Sequence, residues 1–474
     1  MRIALVHPAG YNWVAGKKDV ITVANRMAPI GLLSIAAWLE RRGHQVKIED
    51  CLGPYAAKNS GETVARILKE DPELVGFSAT TSGFLDAYDI AQRVKKLRPG
   101  IKIIFGGVHI SAIGAPLLDK FPAIDYLCIG EGEETMADIA GGKSVEEICG
   151  LVFRGKKGVI ANAARQPIED LDSLPFPAYE KLDGFPRGYE LPLFSYANSP
   201  GATMITSRGC PYQCSYCDRS VFKRGYRFNS PKYIYEHMKY LRERFGVRHL
   251  NIYDDLFTLD RKRIETLCKM LIENPLGMRF NCAVRVGYAD DNLLELLRSA
   301  GCLMVSIGIE SGDSSLLETH KPGVYLDEVK NTVDRIHAKD LRVKGLFMMG
   351  LPGETEESIK KTSDFAVSLD LDDMNMAKFT PFHGAPIWKN IKESGELRED
   401  WRMMNCLNFV FLPKGISSWE RLEYLYNSHV KRFYSNPMWR KRFMARMWQN
   451  RHSLWRLIRN LPKFLSAKKA FEPK

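Results

Sequence analysis

The sequence predicts two successive α/β units: a doubly wound parallel sheet over residues 1–140, and six further strand–helix repeats over residues 196–390. A helical region over residues 391–474 follows. Three observations lead there. Short apolar segments alternate with amphipathic ones through the first 140 residues. The alternation resumes near residue 200 after a proline-punctuated stretch. The 474 residues leave room for two or three domains at roughly 150 residues each. The apolar run Met1–His7 is too short for a signal peptide. No stretch of about 18 apolar residues occurs, so no segment reads as a membrane span.

In the first unit, strands are expected at Ile3–Val6, Gln45–Glu49, Leu74–Ser78, Lys102–Phe105 and Tyr126–Ile129, with helices over Pro29–Arg42, Thr63–Lys69 and Asp86–Leu97. Doubly wound sheets bind ligands at the carboxyl ends of their strands. The loops there are His7-Pro-Ala-Gly10, Ser78-Ala-Thr-Thr-Ser-Gly83, Gly106-Gly-Val-His109 and Gly130-Glu-Gly-Glu133. They are small, hydroxylated and Gly-rich, which lets backbone approach a large ligand closely. Residues 141–195 contain Leu171-Asp-Ser-Leu-Pro-Phe-Pro177, show no periodicity, and read as a connector. In the second unit, strands are expected at Thr203–Thr206, Leu250–Tyr253, Arg279–Val284, Leu303–Ile307, Val343–Met348 and Met374–Phe379.

Cys210, Cys214 and Cys217 form a C-x3-C-x2-C triplet within Thr206-Ser-Arg-Gly-Cys-Pro-Tyr-Gln-Cys-Ser-Tyr-Cys-Asp218. Three thiolates on a turn-rich loop can hold three irons of a [4Fe-4S] cluster, where the four cysteines of a ferredoxin hold all four. A structural zinc site would ask for a fourth Cys or His at close spacing. The nearest later candidates, His237 and His249, fall in a helix and at a strand onset. Gly209 and Pro211 make the segment a loop rather than a core face. The remaining cysteines, Cys51, Cys128, Cys149, Cys268, Cys282, Cys302 and Cys406, are scattered singly, as reduced core cysteines are. That usage points to the cytoplasm. The triplet, with an aromatic before its last cysteine, resembles the signature of radical S-adenosylmethionine (SAM) enzymes. The resemblance implies an open fourth iron that chelates SAM and passes it one electron.

By the same resemblance the second unit is a partial (βα)6 barrel, with chemistry at the carboxyl ends of its strands. Tyr216 stands where the family places an aromatic along the adenine. Asp254 and Asp255 end the second strand in Tyr253-Asp-Asp-Leu-Phe257, similar to a family D-D-x-F near SAM and substrate; capping of the helix at Asp260-Arg261 is the alternative. Glu310, in Gly308-Ile-Glu-Ser-Gly312, is implied to bind the ribose or amino group of SAM, with Ser311 beside it. Arg285 and Lys344 are candidates for the SAM carboxylate, unless they pair with acids. Gly350-Leu-Pro-Gly-Glu-Thr355 is similar to a family turn whose role is architectural.

A first unit carrying Phe105-Gly-Gly-Val-His109 and Gly130-Glu-Gly-Glu-Glu-Thr135 ahead of such a triplet resembles the flavodoxin-like cobalamin-binding domain of cobalamin-dependent radical SAM enzymes. The match spans nearly all of residues 1–400. It implies that Ser78, Thr80, Thr81, Gly106, Gly107, His109, Gly130, Glu131 and Gly132 surround cobalamin, unless the domain has lost its ligand. The D-x-H-x-x-G motif of other cobalamin proteins is absent, and neither His7 nor His109 is assigned as a cobalt ligand.

The net charge of +12 lies wholly in the tail. Residues 431–474 hold 13 Lys/Arg and one acid, Glu472, so residues 1–430 are neutral. Trp439, Phe443, Met447, Leu454, Ile458 and Leu461 recur at helical steps among Arg440, Lys441, Arg442, Arg446, Arg451, Arg456 and Arg459. Residues 437–465 thus read as a basic amphipathic helix. It suits either peripheral contact with an anionic membrane or docking on the barrel; no nucleic-acid module is visible. The expected function is SAM cleavage to a 5′-deoxyadenosyl radical and methylation of an unactivated carbon through methylcobalamin. Radical oxidative cyclisation, as in anaerobic Mg-protoporphyrin ester cyclase, is the alternative, and a cobalamin or SAM sensor the lesser one. Implied partners are a small-molecule, lipid or tetrapyrrole substrate and an electron donor such as flavodoxin or ferredoxin.

Overall fold

The computed structural model describes residues 1–10, 25–447 and 451–461. A seven-stranded sheet comes first: β1 (Arg2–His7), β2 (Gln45–Asp50), β3 (Leu74–Ser78), β4 (Lys102–Gly106), β5 (Tyr126–Cys128), β6 (Leu151–Gly155) and β7 (Gly158–Ala161), in the order β2-β1-β3-β4-β5-β6-β7. The first five are parallel, and β6 and β7 add antiparallel. The order 2-1-3-4-5 is that of flavodoxin-like sheets, with the ligand crevice at the β1/β3 switch point. Helices cover both faces, so Ile3, Ala4, Leu5 and Val6 of β1 are all buried, as strands between two helical layers are.

Residues 141–195 depart from the connector expected of them. β6 and β7 extend the first sheet, because Leu151, Val152 and Phe153 have apolar surface to bury against β5. Beyond them, Leu171, Leu174, Ala178 and Tyr179 are buried in one core that runs from the helix Ile30–Glu40 of the first unit to the outer helices of the second. The two units therefore share a core, and a second cluster fills the opposite face of the first sheet.

The second sheet holds β8 (Gly201–Met204), β9 (His249–Ile252), β10 (Arg279–Val284), β11 (Cys302–Glu310), β12 (Arg342–Met349) and β13 (Asp373–Lys378), all parallel and in sequence order. β8 and β13 remain edges, so this is an open six-stranded half-barrel. Along β11, Val305, Ile307 and Ile309 are fully buried while Ser306, Gly308 and Glu310 between them are half-buried. The period of two puts one set against the outer helices and the other toward the lumen. The helices start where side chains satisfy free backbone N–H groups: Ser230, Asp260, Asp290, Asp313 and Thr355 each cap one.

In the tail, the helix Pro437–Arg446 docks under the barrel. Trp439 Nε1 donates to Asp372 O at 3.0 Å, and Arg442 and Arg446 pair with Asp370 and Asp372. The helix Arg451–Arg459 follows, with Arg456 buried and paired to Glu190 at 2.9 Å. The amphipathic pattern is thereby partly inverted: Trp439 and Phe443 pack inward as expected, but so do three arginines. Trp455, Ile458 and Leu461 are left exposed. Residues 448–450 and 462–465 of this segment lie outside the described residues. No described helix is long and apolar enough to cross a membrane.

Candidate active site

The three cysteines sit on a loop whose base is a two-stranded ribbon, Ser207–Arg208 against Arg227–Phe228. Gly209 opens the loop at φ +87°, and a Cβ there would collide with Gly225 O, so only glycine fits. Ser215, between Cys214 and Cys217, donates its backbone N–H to His320 O at 3.0 Å and its hydroxyl lies 2.7 Å from His320 Nδ1. His320 Nε2 lies 2.8 Å from Pro352 O. A carbonyl only accepts, so Nε2 carries the proton and Nδ1 accepts from Ser215. The Gly350–Thr355 turn thus steadies the cysteine loop through one imidazole.

The cysteines are half-buried and free of disulfides. Burial, then Asp255 and the neighbouring cysteines, push the Cys217 thiol up to about 12, and Cys210 rises for the same leading reason. Burial thus favours the protonated form of Cys210 and Cys217, and a bound cation reverses that preference. Among the described residues, no three His, Cys, Asp or Glu side chains converge on a single-ion position. Three thiols carried on one loop are the donors that three corners of a cubane take. The donor set fits an iron–sulfur cluster.

Around this loop the carried-over residues divide. Glu310 stands at the mouth of the lumen, where Lys321 Nζ reaches its carboxylate at 2.7 Å, and the Tyr216 hydroxyl lies beside both Glu310 and Cys214. Burial first, then those two neighbours, hold the Tyr216 phenol well above its ordinary range. Arg285 lies over the Tyr212 ring at 3.7 Å and donates to Pro322 O at 2.9 Å. Asp255 is exposed and sits beside Cys210 and Cys217. Tyr216, Glu310, Arg285 and Asp255 are brought together with the cysteines.

Asp254, Ser311 and Lys344 are not. Asp254 is buried, accepts from Thr206 N and Thr206 Oγ1 at 2.5 Å each, and lies 3.8 Å from Arg263; it staples the strand ahead of the cysteines to β9. Helix capping does not explain it either, since Asp260 caps that helix itself. Ser311 is fully buried against Thr362 at 3.1 Å. Lys344 pairs with Asp373 at 2.9 Å, opposite Ser306 in register. That is four residues below Glu310, about 13 Å along the strand. It lines a separate chamber of about 460 Å³ closed by the tail. The sequence reading missed the run His320-Lys321-Pro322, whose members grip Ser215, Glu310 and Arg285 in turn. Two basic residues before a proline at the end of the short helix Ser314–His320 were its signal.

On the first unit, a cavity of about 160 Å³ opens at the switch point, lined by Gly76, Ser78, Gly106, Gly107, Gly130, Glu131, Gly132 and apolar residues including Leu5, Phe77, Ile104 and Met136. Gly107 has φ +102° and a Cβ there would press within 2.9 Å of Ala79 O; one on Gly132 would meet Ile35 at 2.7 Å. The glycines keep the cradle open, and it fits part of a large cofactor lying across the strand ends. Thr80 and Thr81 do not line it: Thr80 is exposed, while Thr81 is buried and faces His109. His109 itself does not line the cavity. It is buried against Phe84 and Trp401, with ring centroids 4.8 and 4.6 Å away, and burial lowers it to about 3. His7 pairs with Asp50 at 2.8 Å. Glu131 lines the cavity, but its carboxylate is occupied by Arg208, Arg227 and Ile168 N.

Fold and site together define a radical enzyme with two cofactor-bearing units, and comparison with known proteins agrees. Residues 204–366 match the radical SAM superfamily and residues 16–140 match the B12-binding domain. The chain thus carries a B12-binding domain ahead of a radical SAM domain, and the cofactors of that pair are a [4Fe-4S] cluster, SAM and cobalamin. It is 29% identical to the uncharacterized methyltransferase PH0819 of Pyrococcus horikoshii, over 86% of this chain and 88% of that one. It is 26% identical to the anaerobic magnesium-protoporphyrin IX monomethyl ester cyclase of Rubrivivax gelatinosus, over 92% and 78%. Its fold resembles that of the radical SAM methyltransferase TsrM from Kitasatospora setae, solved with cobalamin and [4Fe-4S] cluster, with a TM-score of 0.65, 20% identity, and 83% and 78% of the two chains covered.

Proposed function

We propose that this enzyme methylates an unactivated carbon. One observation carries the proposal: Val221 and Phe222, only a few residues past Cys217, form a wall of the B12-domain cavity, so the radical source and the methyl donor are neighbours. When bound, the groups supply an electron to SAM, a 5′-deoxyadenosyl radical that takes hydrogen from the substrate, and a transferable methyl group. The chain's own part is to hold and orient. Cys210, Cys214 and Cys217 are assigned to the cluster. Glu310, steadied by Lys321, Tyr216 and Arg285 are assigned to SAM, and the glycine cradle to cobalamin. Radical cyclisation is the second reading, favoured by the similarity to the ester cyclase over 92% of this chain.

The test is anaerobic. The reconstituted protein is incubated with cobalamin, SAM and reductant, and 5′-deoxyadenosine and S-adenosylhomocysteine are quantified by mass spectrometry. Both are expected, and Cys214→Ala should abolish the deoxyadenosine. Deoxyadenosine without S-adenosylhomocysteine would favour cyclisation, and neither product would remove the methylase reading. A flavodoxin- or ferredoxin-like donor would supply the electron in the cell. Peripheral membrane contact would fall to Trp455, Ile458 and Leu461, which the docked tail leaves outward.

A further inference from the structure

The ribbon at the base of the cysteine loop carries one arginine on each strand, Arg208 opposite Arg227, and both grip the same carboxylate. Arg208 Nη1 donates to Glu131 Oε1 at 2.9 Å, and Arg227 donates to Glu131 Oε1 and Oε2 at 2.9 and 3.0 Å. The second nitrogen of Arg208 donates to Glu133 at 2.6 Å, and Glu133 also accepts from Ser34 at 2.7 Å. All four charged side chains are almost wholly buried, 13% exposed for the arginines and 5% for the glutamates. Two cations against two anions leave the network neutral, and each guanidinium fork is matched by acceptors.

This clamp sits between the two cofactor sites and touches both. Glu131, Glu133 and Arg208 line the B12-domain cavity together with Val221 and Phe222. Arg208 also leads through Gly209 into Cys210, and its guanidinium lies 5.6 Å from the Phe222 ring. The segment between the two ribbon strands, residues 209–226, therefore holds the cluster cysteines near its start and a cavity wall near its end.

We propose that Arg208 and Arg227, through Glu131, couple the two sites, so that cobalamin in the cavity and the cluster on the loop each strengthen the binding of the other. Both sites are built on the same segment. The one that binds first meets the conformational cost, and the second binds with less to lose. Linkage requires the effect to be reciprocal. Arg208 acts through the loop and is a positioning residue, distinct from the groups that touch the reacting atoms.

The inference rests on the cavity taking cobalamin, and the experiment separates the two claims. Cobalamin affinity is titrated by visible absorption in cluster-free and cluster-reconstituted full-length protein, and loss of iron to a chelator is timed with and without cobalamin. In wild type, the cluster is expected to tighten cobalamin at least about fivefold, the low end of ordinary coupling, and cobalamin to slow iron loss. Arg227→Lys, which lies outside the cavity lining, keeps a charge but loses the planar fork that takes both oxygens of Glu131, and should bring both ratios close to one while each ligand alone still binds. Val221→Ala, which removes no ion pair, should reduce the ratios without unfolding the protein if Arg227→Lys misfolds. A wild-type ratio of one, or ratios unchanged in both variants, overturns the coupling and leaves the cofactor assignment standing. No cobalamin binding by wild type in either form overturns both.

Discussion

Glu310 shows how a single backbone angle aims a functional group. Its φ of +66° lies in the left-handed region that non-glycine residues seldom occupy, and the register between β11 and β12 shifts between Gly308 and Glu310. The irregularity turns the carboxylate to the lumen mouth and Lys321, while the next residue, Ser311, turns into the core against Thr362. Adjacent residues of one motif thus separate into site and scaffold. Glu310→Gln is expected to weaken SAM binding roughly ten- to a hundredfold, the worth of a charge-assisted hydrogen bond. Ser311→Ala should leave SAM affinity within about twofold and cost about 1 kcal/mol of stability. Isothermal titration and urea unfolding of both variants check this, and equal losses of SAM affinity would reverse the assignment.

The turn Gly350–Thr355 makes the corresponding point for an element. Its sequence reads as architectural. The structure buries the Glu354 side chain beneath the turn, where it accepts from Gly350 N at 2.5 Å. Burial outweighs that bond and raises its carboxyl from an ordinary 4.5 to about 8. Between those values the folded protein holds a proton that the unfolded chain has released. The contribution to stability is therefore full below pH 4.5 and falls as pH rises toward 8, by up to about 1.4 kcal/mol per pH unit. Glu354→Gln, neutral at every pH, should flatten the decline in urea midpoint between about pH 6 and pH 8. An unchanged slope would place the titrating group elsewhere.

For the whole molecule, the question is what the basic tail does. Docking against Asp370, Asp372 and Glu190 gives it a structural role under the barrel, and the apolar side chains left exposed are Met438 and Met444 on the first tail helix and Trp455, Ile458 and Leu461 on and just past the second. A double variant, Trp455→Ser with Ile458→Ser, is expected to keep the thermal midpoint, since exposed side chains contribute little to stability. It should lose several-fold in co-sedimentation with anionic phosphatidylglycerol vesicles, as apolar anchors are removed. Wild-type protein that fails to sediment, or a variant that sediments equally, ends the membrane reading and leaves the tail as a brace alone.

Sequence by itself determined the two α/β units, the register of apolar residues in their strands and the cysteine triplet, because each is written in local pattern: alternation, turn glycines and fixed spacing. Tyr216 and Glu310 were legible for the same reason, each lying within a short motif. Only the tertiary structure decided that Asp254 staples a strand while Asp255 faces the cysteines, that Lys344 lies one chamber away, and that Glu131 clamps the units together. It also brought His320 to Ser215 across 105 residues and Arg208 to Glu131 across 77. Such pairings depend on which buried charge or ring nitrogen finds a partner once the two units share a core. The cost of burying either alone makes the choice nearly absolute, and nothing in the local sequence around either partner announces it.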